Sequence, residues 1–216
     1  MPGNLGLRDQ ISALQWIRAN IRSFNGDPNS VTVAGDSAGA VSASILAISP
    51  LAKGLFHRII LKSGSALMHS AVRTLGTKHS TLKVLNAMSC RDVDCLKNFN
   101  KTALNKIYMD LLMDAAQDPY ERLQGLMIFS PVIDDYMEGD SILPKHPLLL
   151  MKENAHLPAL ISTTSDERLG LFGALVGLKN TGDNIDFIQV TADSTEDWLN
   201  LSHYFPVRDY ERHQMQ

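Results

Sequence analysis

The chain has 216 residues, 44% of them hydrophobic, and a net charge of −3 from 20 basic and 23 acidic side chains. This length and composition can bury a core and suit one globular domain. The balanced charge, without a long like-charged run, gives no indication of nucleic-acid binding or of a charged membrane surface. No apolar run approaches the roughly 18 residues that cross a bilayer, and the N-terminus lacks a signal-peptide pattern.

The first predicted element is an amphipathic helix. Apolar residues recur at steps of three or four from Leu7 to Phe24, which is one face of a helix. The segment Asn25-Gly26-Asp27-Pro28 then ends it, because these residues tolerate left-handed backbone or break helices. Trp16 borders the apolar stripe, and we expect it to pack rather than to bind a ligand.

A short β-type run over 31–33, the segment Gly35-Asp36-Ser37-Ala38-Gly39 and a helix-type run over 40–46 follow. This is the layout of a nucleophile elbow, a sharp strand-to-helix turn that exposes and aims a serine hydroxyl. The three fixed positions of the pattern also occur by chance. The alternative is a tight turn in which Ser37 merely caps the helix.

The residue types of the elbow fit nucleophilic chemistry. Gly35 and Gly39 are expected to leave no Cβ where the strand and the helix crowd together. The helix that begins beside Ser37 would turn its unpaired N–H groups and its positive dipole end toward a developing oxyanion. The N–H of Ala38 is the natural first donor.

Further strands and helices are predicted downstream. Phe56 to Lys62 is typical of a buried parallel strand that ends at Ser63-Gly64-Ser65, so Ser65 lies either beside a ligand crevice or in an ordinary turn. Residues 71–126 have helical, irregular patterning that suits an insertion or cap over an active site. The Pro-interrupted segment 129–135 is predicted to be extended.

A last strand is predicted over 157–165, and Glu167 follows its carboxyl end, where an acid partner for a histidine would sit. A helix is predicted from 169 to 178, so Glu167 is equally well interpreted as a first-turn acid, with Ser165 or Asp166 as the N-cap. The pattern weakens from residue 179 onward.

Cys90 and Cys95 lie five positions apart, a spacing that permits either a small bridged loop or two free thiols. Asn100 and Asn200 begin Asn-x-Ser/Thr sequons, which matter only if the chain is secreted.

Taken together, these motifs resemble the type-B carboxylesterase and cholinesterase-like family. The elbow Gly35-Asp36-Ser37-Ala38-Gly39 is the centre of the likeness, and the other matching segments, in order and spacing, are 2–10, 13–17, 20–21, 24–28, 31–33 and 56–65. Weaker similarity continues to about residue 172.

The resemblance implies an α/β class with a mostly parallel sheet: a partial α/β-hydrolase fold, truncated at both ends. It places residues 1–216 in one domain, with 71–126 as a helical insertion or cap and 179–216 as a weakly matched tail.

The family uses serine, acid and histidine in that chain order. By resemblance, Ser37 is the nucleophile, the Ala38 N–H is an oxyanion donor and Glu167 is the acid of the triad. Ser65 matches a serine that supports the acid from behind. The resemblance implies no metal and no organic cofactor.

The chain also departs from the family pattern. Asp36 stands where the family usually has glutamate, and Asn25 where it usually has glycine. Arg168 replaces the glycine after the acid. Its positive charge could lie beside Glu167 and compete with the histidine for that carboxylate.

Two parts of the family's machinery do not appear in the sequence. A Gly-rich oxyanion loop would lie upstream of the elbow, and a histidine in a Gly-x-x-His context would lie beyond the acid. His203 and His213 follow the acid but lack that context. We therefore expect a fragment of a larger esterase that is almost inert by itself.

The expected function of the parent protein is the hydrolysis of small carboxylic esters through an acyl-enzyme. A non-catalytic adhesion or signalling ectodomain on the same fold and a non-functional truncated fragment remain as alternatives. The resemblance also implies secretion or the lumen of the endoplasmic reticulum, where Cys90 and Cys95 would form the family's small disulfide loop.

Overall fold

The computed structural model describes residues 3–68, 70–73, 77–97, 100–115, 129–154, 156–165 and 167. Their helices and strands are, in chain order, α1 (Leu5–Asn20), β1 (Thr32–Asp36), α2 (Ala38–Ile48), β2 (Arg58–Lys62), α3 (Thr77–Ala87), α4 (Val93–Lys97), α5 (Lys101–Ala115), α6 (Pro147–Asn154) and β3 (Ala159–Ser162). The predicted helix at 169–178 and the tail from 179 lie outside the described residues.

A parallel three-stranded sheet of order β1-β2-β3 forms the centre of the described structure. Thr32 pairs with Arg58 at the start of the register, and Asp36 pairs with Lys62 at its end. On the other side of β2, Lys62 pairs with Ser162. The carboxyl ends of all three strands therefore meet at one edge, and the predicted α/β class with a parallel sheet is confirmed.

Helix α2 fills the core beside this sheet. Ile45 is fully buried and Ile48 is 2% exposed, and the small residues Ala40 and Ala43 let the helix backbone approach the strands closely. The rest of the main core comes from α1, from β2 and the segment before it, and from α6 and the segment before it. It includes Leu7, Ile11, Leu14, Phe56, Ile59, Leu61, Ile142, Leu143 and Leu150. Burial of this apolar surface is the main stabilising contribution to such a unit.

The apolar stripe of α1 is buried only in its first half. Leu7, Ile11 and Leu14 are in the core, whereas Trp16 is 53% exposed and packs against Phe24 in a tilted arrangement with ring centroids 5.8 Å apart. Trp16, expected to pack, does so against another exposed ring rather than in the core.

The end of this helical segment explains one departure from the family pattern. Asn25 has φ 61°, in the left-handed region, its N–H donates to the carbonyl of Arg22, and the Gly26 N–H donates to the carbonyl of Ile21. This is a Schellman-type C-cap, a position that favours glycine but that asparagine tolerates. Asparagine can therefore replace glycine at this position.

A second, smaller apolar cluster lies within the predicted insertion. Its buried members are Val84, Leu85, Met88 and Cys90, and partly buried residues of α4 and α5 pack against it. Cys90 and Cys95 form a disulfide in this cluster, so the bridged alternative for the cysteines is confirmed.

None of the helices in the described ranges is both long and apolar enough to span a membrane.

A buried carboxylate organises the loop before α6. Asp134 is fully buried, and its oxygens accept the Ser141 hydroxyl at 2.7 Å, the Leu143 N–H at 2.7 Å and the Ile142 N–H at 3.1 Å. The Arg8 guanidinium of α1 lies 3.7 Å away. Asp134 thus fixes the turn at 140–143, and its negative charge faces the positive charge of Arg8 on α1.

The pKa of Asp134 reflects a balance between burial and hydrogen bonding. Burial is the largest single influence and by itself raises the pKa. The hydrogen bonds from Ser141, Leu143 and Ile142 outweigh it, so the pKa lies below its ordinary value of 3.8. Because the folded-state pKa is lower than the unfolded one, this stabilisation is complete above about pH 5 and is lost as the pH falls below about 3.9.

We expect Asp134→Asn to lower the free energy of unfolding by about 3 kcal/mol at neutral pH, since an amide cannot accept all of these donors. The loss should shrink as the pH falls below about 4, because the wild-type carboxyl group is then protonated in the unfolded chain and, at still lower pH, in the folded protein as well. Urea unfolding across the pH range measures both effects. Asp140→Asn is the matched control, because Asp140 is 58% exposed and pairs with Arg8 at the surface; it should cost under about 1 kcal/mol. Equal losses in the two variants would contradict this role for Asp134.

Candidate active site

Ser37 lies in the sharp turn between the end of β1 and the start of α2, and its side chain is exposed. Its backbone has φ 53° and ψ −119°, a conformation that a residue with a Cβ rarely adopts and that costs about 1–3 kcal/mol. The Ser37 N–H donates to the carbonyl of Lys62 at 2.9 Å, which continues the β1–β2 ladder. The strand, turn and helix of the predicted elbow are all present.

Gly35 is required by the close approach of helix to strand. A Cβ at this position would lie 2.1 Å from the backbone carbon and oxygen of Gly39 and 2.5 Å from the nitrogen of Ala40. Backbone atoms cannot move aside as the end of a side chain can, so any larger residue would push α2 away from β1. Because of this contact the turn between β1 and α2 is a single residue, Ser37, which lies beyond the end of the strand.

The prediction for Gly39 is wrong. Among the described residues, nothing lies within 4 Å of a Cβ built at Gly39. The two glycines of the motif are therefore not equivalent. Gly35 must lack a Cβ, and the backbone of Gly39 occupies the space in which that Cβ would lie.

The first turn of α2 presents backbone donors beside Ser37. The carbonyl of Ser37 accepts the N–H of Val41 at 3.0 Å, so Ala38 is the first residue of the helix. The N–H groups of a first helical turn have no partner inside the helix, and the helix dipole is positive there. The Ala38 N–H is the first of these groups and directly follows Ser37 in the chain.

A second loop supports the elbow from the neighbouring strand. Ser63 follows β2 with φ 53°, and a Cβ at Gly64 would lie 2.4 Å from the carbonyl oxygen of Ser37. The buried Ser44 hydroxyl of α2 accepts the Ala66 N–H at 3.1 Å, which fastens this loop to α2. Neither Gly64 nor Ser44 was predicted to have this role, although a serine between Ala43 and Ile45 on the apolar helix α2 was a usable signal.

Ser65 and Glu167 both lie beyond strand ends at this edge of the sheet. The Ser65 hydroxyl accepts the Leu67 N–H at 3.0 Å, which is the turn chemistry that the sequence left open. A Glu167 carboxylate oxygen accepts the Thr164 N–H at 2.7 Å. That bond fixes the direction of the carboxyl group within its turn.

The sheet topology sets the separation of the two strand ends that precede Ser37 and Glu167, and Glu167 lies five residues beyond Ser162, the last residue of β3. One strand, β2, lies between β1 and β3, and adjacent strands are about 4.8 Å apart, so the two strand ends are about 10 Å apart.

The histidines with described contacts are engaged away from the elbow. The Nδ1 of His57 accepts the Val31 N–H at 3.3 Å at the amino end of the sheet, and the Nδ1 of His146 accepts the Leu148 N–H at the start of α6. His156 contacts the carbonyl of Glu153. His203, His213, Asp166 and Arg168 lie outside the described residues.

Metal ligation finds no support in the described ranges, where His, Cys, Asp and Glu do not assemble into a group of three or more that could hold an ion.

Comparison with known proteins identifies the family. The sequence profile of the Carboxylesterase family matches residues 1–209. Esterase FE4 of Myzus persicae is 38% identical over 188 residues, which cover 83% of this chain and 31% of the esterase. Liver carboxylesterase 1 of Oryctolagus cuniculus is 35% identical over 191 residues, covering 83% of this chain and 32% of the relative.

Solved structures show the same likeness. The crystal structure of the Geobacillus stearothermophilus carboxylesterase EST55 at pH 6.8 superposes with a TM-score of 0.67 and 30% identity, covering 90% of this chain and 38% of that structure. The chain belongs to the carboxylesterase family and has part of the α/β-hydrolase fold. It spans about a third of the length of the curated relatives that it matches.

The two glycines of the elbow give a matched pair of variants. We expect Gly35→Ala to lower the free energy of unfolding by about 3 kcal/mol or more, because its methyl group meets backbone. The methyl group of Gly39→Ala meets nothing within 4 Å among the described residues, and alanine replaces glycine in a helix, so this variant should be neutral or stabilising by up to about 1 kcal/mol. Thermal unfolding of both variants measures this. Similar losses of stability in the two would contradict the difference between them.

Proposed function

We propose that the protein of which this chain forms part hydrolyses carboxylic esters through an acyl-enzyme, with Ser37 as the nucleophile. The observation that carries the proposal is the strained, exposed Ser37 at the tip of a strand-turn-helix elbow. A serine that merely capped the helix would not need left-handed backbone, and its side chain makes no cap hydrogen bond. Membership of the carboxylesterase family supports the same chemistry.

In this mechanism the Ser37 Oγ attacks the ester carbonyl carbon while a histidine removes its proton. The carbonyl oxygen becomes negative and is stabilised by the Ala38 N–H, a donor of a type worth roughly 3 kcal/mol in the transition state. The histidine then gives the proton to the departing alcohol, and an acyl-serine remains. Water attacks the acyl carbon by the same route and restores the Ser37 hydroxyl.

Glu167 is proposed as the acid that orients this histidine. Its position beyond β3, one strand removed from the strand that carries Ser37, supports the assignment. The hydrogen bond from Thr164 holds the carboxylate in place. Ser65, at the end of the intervening strand, is proposed to support the acid from behind, and the Gly-rich oxyanion loop and the histidine would complete the site from other parts of the protein.

The protein is proposed to act on small neutral or weakly charged esters in an oxidising compartment, either outside the cell or in the lumen of the endoplasmic reticulum. The Cys90–Cys95 disulfide supports such a compartment, because disulfides persist mainly in secreted and lumenal proteins.

The single domain over 1–216 with a helical insertion at 71–126 is part of the same proposal. The separate apolar cluster around Val84 supports it.

Ester turnover by the whole protein tests the two proposed catalytic residues. With para-nitrophenyl acetate as substrate, Ser37→Ala should lower kcat by about 10⁶-fold and Glu167→Gln by about 10⁴-fold. Glutamine keeps an oxygen that can accept the Thr164 N–H, so a purely structural Glu167 would tolerate the change.

Glu153→Gln is the matched control for charge, because Glu153 is a surface acid of α6 that pairs with Lys145; its kcat should equal that of the wild type. Full turnover by Ser37→Ala would refute the proposed nucleophile. Full turnover by Glu167→Gln would refute the proposed acid and favour the alternative, in which Glu167 is an acid in the first turn of the predicted helix.

A further inference from the structure

The sequon that begins at Asn100 lies at the surface, between α4 and α5. It reads Asn100-Lys101-Thr102, and all three residues are exposed. The esterase mechanism uses none of them. The modification that recognises this pattern attaches an oligosaccharide to the asparagine side chain and requires access to it.

The side chain of Asn100 is held through its oxygen. Oδ1 accepts the Thr102 N–H at 2.8 Å, and the Asn100 carbonyl accepts the Leu104 N–H at 3.0 Å, so Asn100 is the N-cap of α5. Among the described residues, its Nδ2 donates no hydrogen bond. A substituent on Nδ2 would therefore leave the cap of α5 intact.

The compartment needed for this modification is supported by a second, independent feature. The disulfide between Cys90 and Cys95 ends only five residues before Asn100. An oxidising lumen that maintains this bond is also where asparagine-linked oligosaccharides are added.

We propose that Asn100 carries an N-linked oligosaccharide. In the transfer, Nδ2 attacks the anomeric carbon of an N-acetylglucosamine at the end of a lipid-diphosphate oligosaccharide. The carbon–oxygen bond to the diphosphate breaks, the diphosphate leaves with the bonding electrons, and Nδ2 loses one proton. The product is an amide that keeps Oδ1 as an acceptor for the Thr102 N–H. This inference rests on the lumenal compartment proposed above but not on the catalytic role of Ser37.

The test is glycopeptide mass spectrometry of the whole protein, expressed in the secretory pathway of a eukaryotic cell. The peptide that contains Asn100 should carry N-acetylglucosamine, and peptide N-glycosidase should release the glycan and convert Asn100 to aspartate. The variants Asn100→Asp and Thr102→Ala should each lose this one glycan, whereas Thr102→Ser should keep it.

Asn100→Asp also separates modification from folding, because aspartate retains an oxygen that can cap α5. Its thermal unfolding midpoint should match that of wild-type protein whose glycan has been trimmed to a single N-acetylglucosamine, a treatment that leaves residue 100 an asparagine. An unmodified Asn100 in secreted wild-type protein would overturn the inference, whether or not the disulfide is intact. Ester turnover is measured on the same samples, so a failure of the proposed function would be recognised separately.

Discussion

The close contact between Gly35 and the backbone of Gly39 is the constraint on which the elbow depends. With no Cβ in this gap, the start of α2 can lie directly against the end of β1, where a methyl carbon would be 2.1 Å from backbone atoms. The chain must then reverse direction within a single residue, and Ser37 takes the strained conformation. The strain, about 1–3 kcal/mol, is offset by burial of α2 against the sheet and places the Ser37 hydroxyl at the surface beside helix N–H donors.

The parallel sheet brings the elbow and two other loops to the same edge. Because β1, β2 and β3 run in the same direction, the residues that follow them meet at one edge, with Ser37, Ser65 and Glu167 each beyond a different strand. The loop after β2 is fastened by Gly64 against the carbonyl of Ser37 and by Ser44 against the N–H of Ala66. The proposed mechanism needs an imidazole between the serine and the acid, and these two residues follow strands that have one other strand between them.

The local parts of this arrangement could be predicted from the sequence, and the long-range parts could not. The β-branched run, Gly-x-Ser-x-Gly and the small-residue helix are neighbours in the chain, so their pattern predicts the elbow. The unequal roles of Gly35 and Gly39 depend on the angle at which α2 crosses the strand, which composition does not encode. Asp134 is satisfied largely by backbone N–H groups, and Trp16 is 53% exposed; neither outcome has a periodic signal.

The most direct test of the account is covalent labelling of the whole protein with a fluorophosphonate, which reacts with an activated serine hydroxyl. The account predicts one phosphonyl adduct per molecule, located by peptide mass spectrometry at Ser37 and absent from protein in which Ser37 has been replaced by alanine. An adduct at another residue, or ester turnover that continues unchanged while Ser37 is unlabelled, would contradict it.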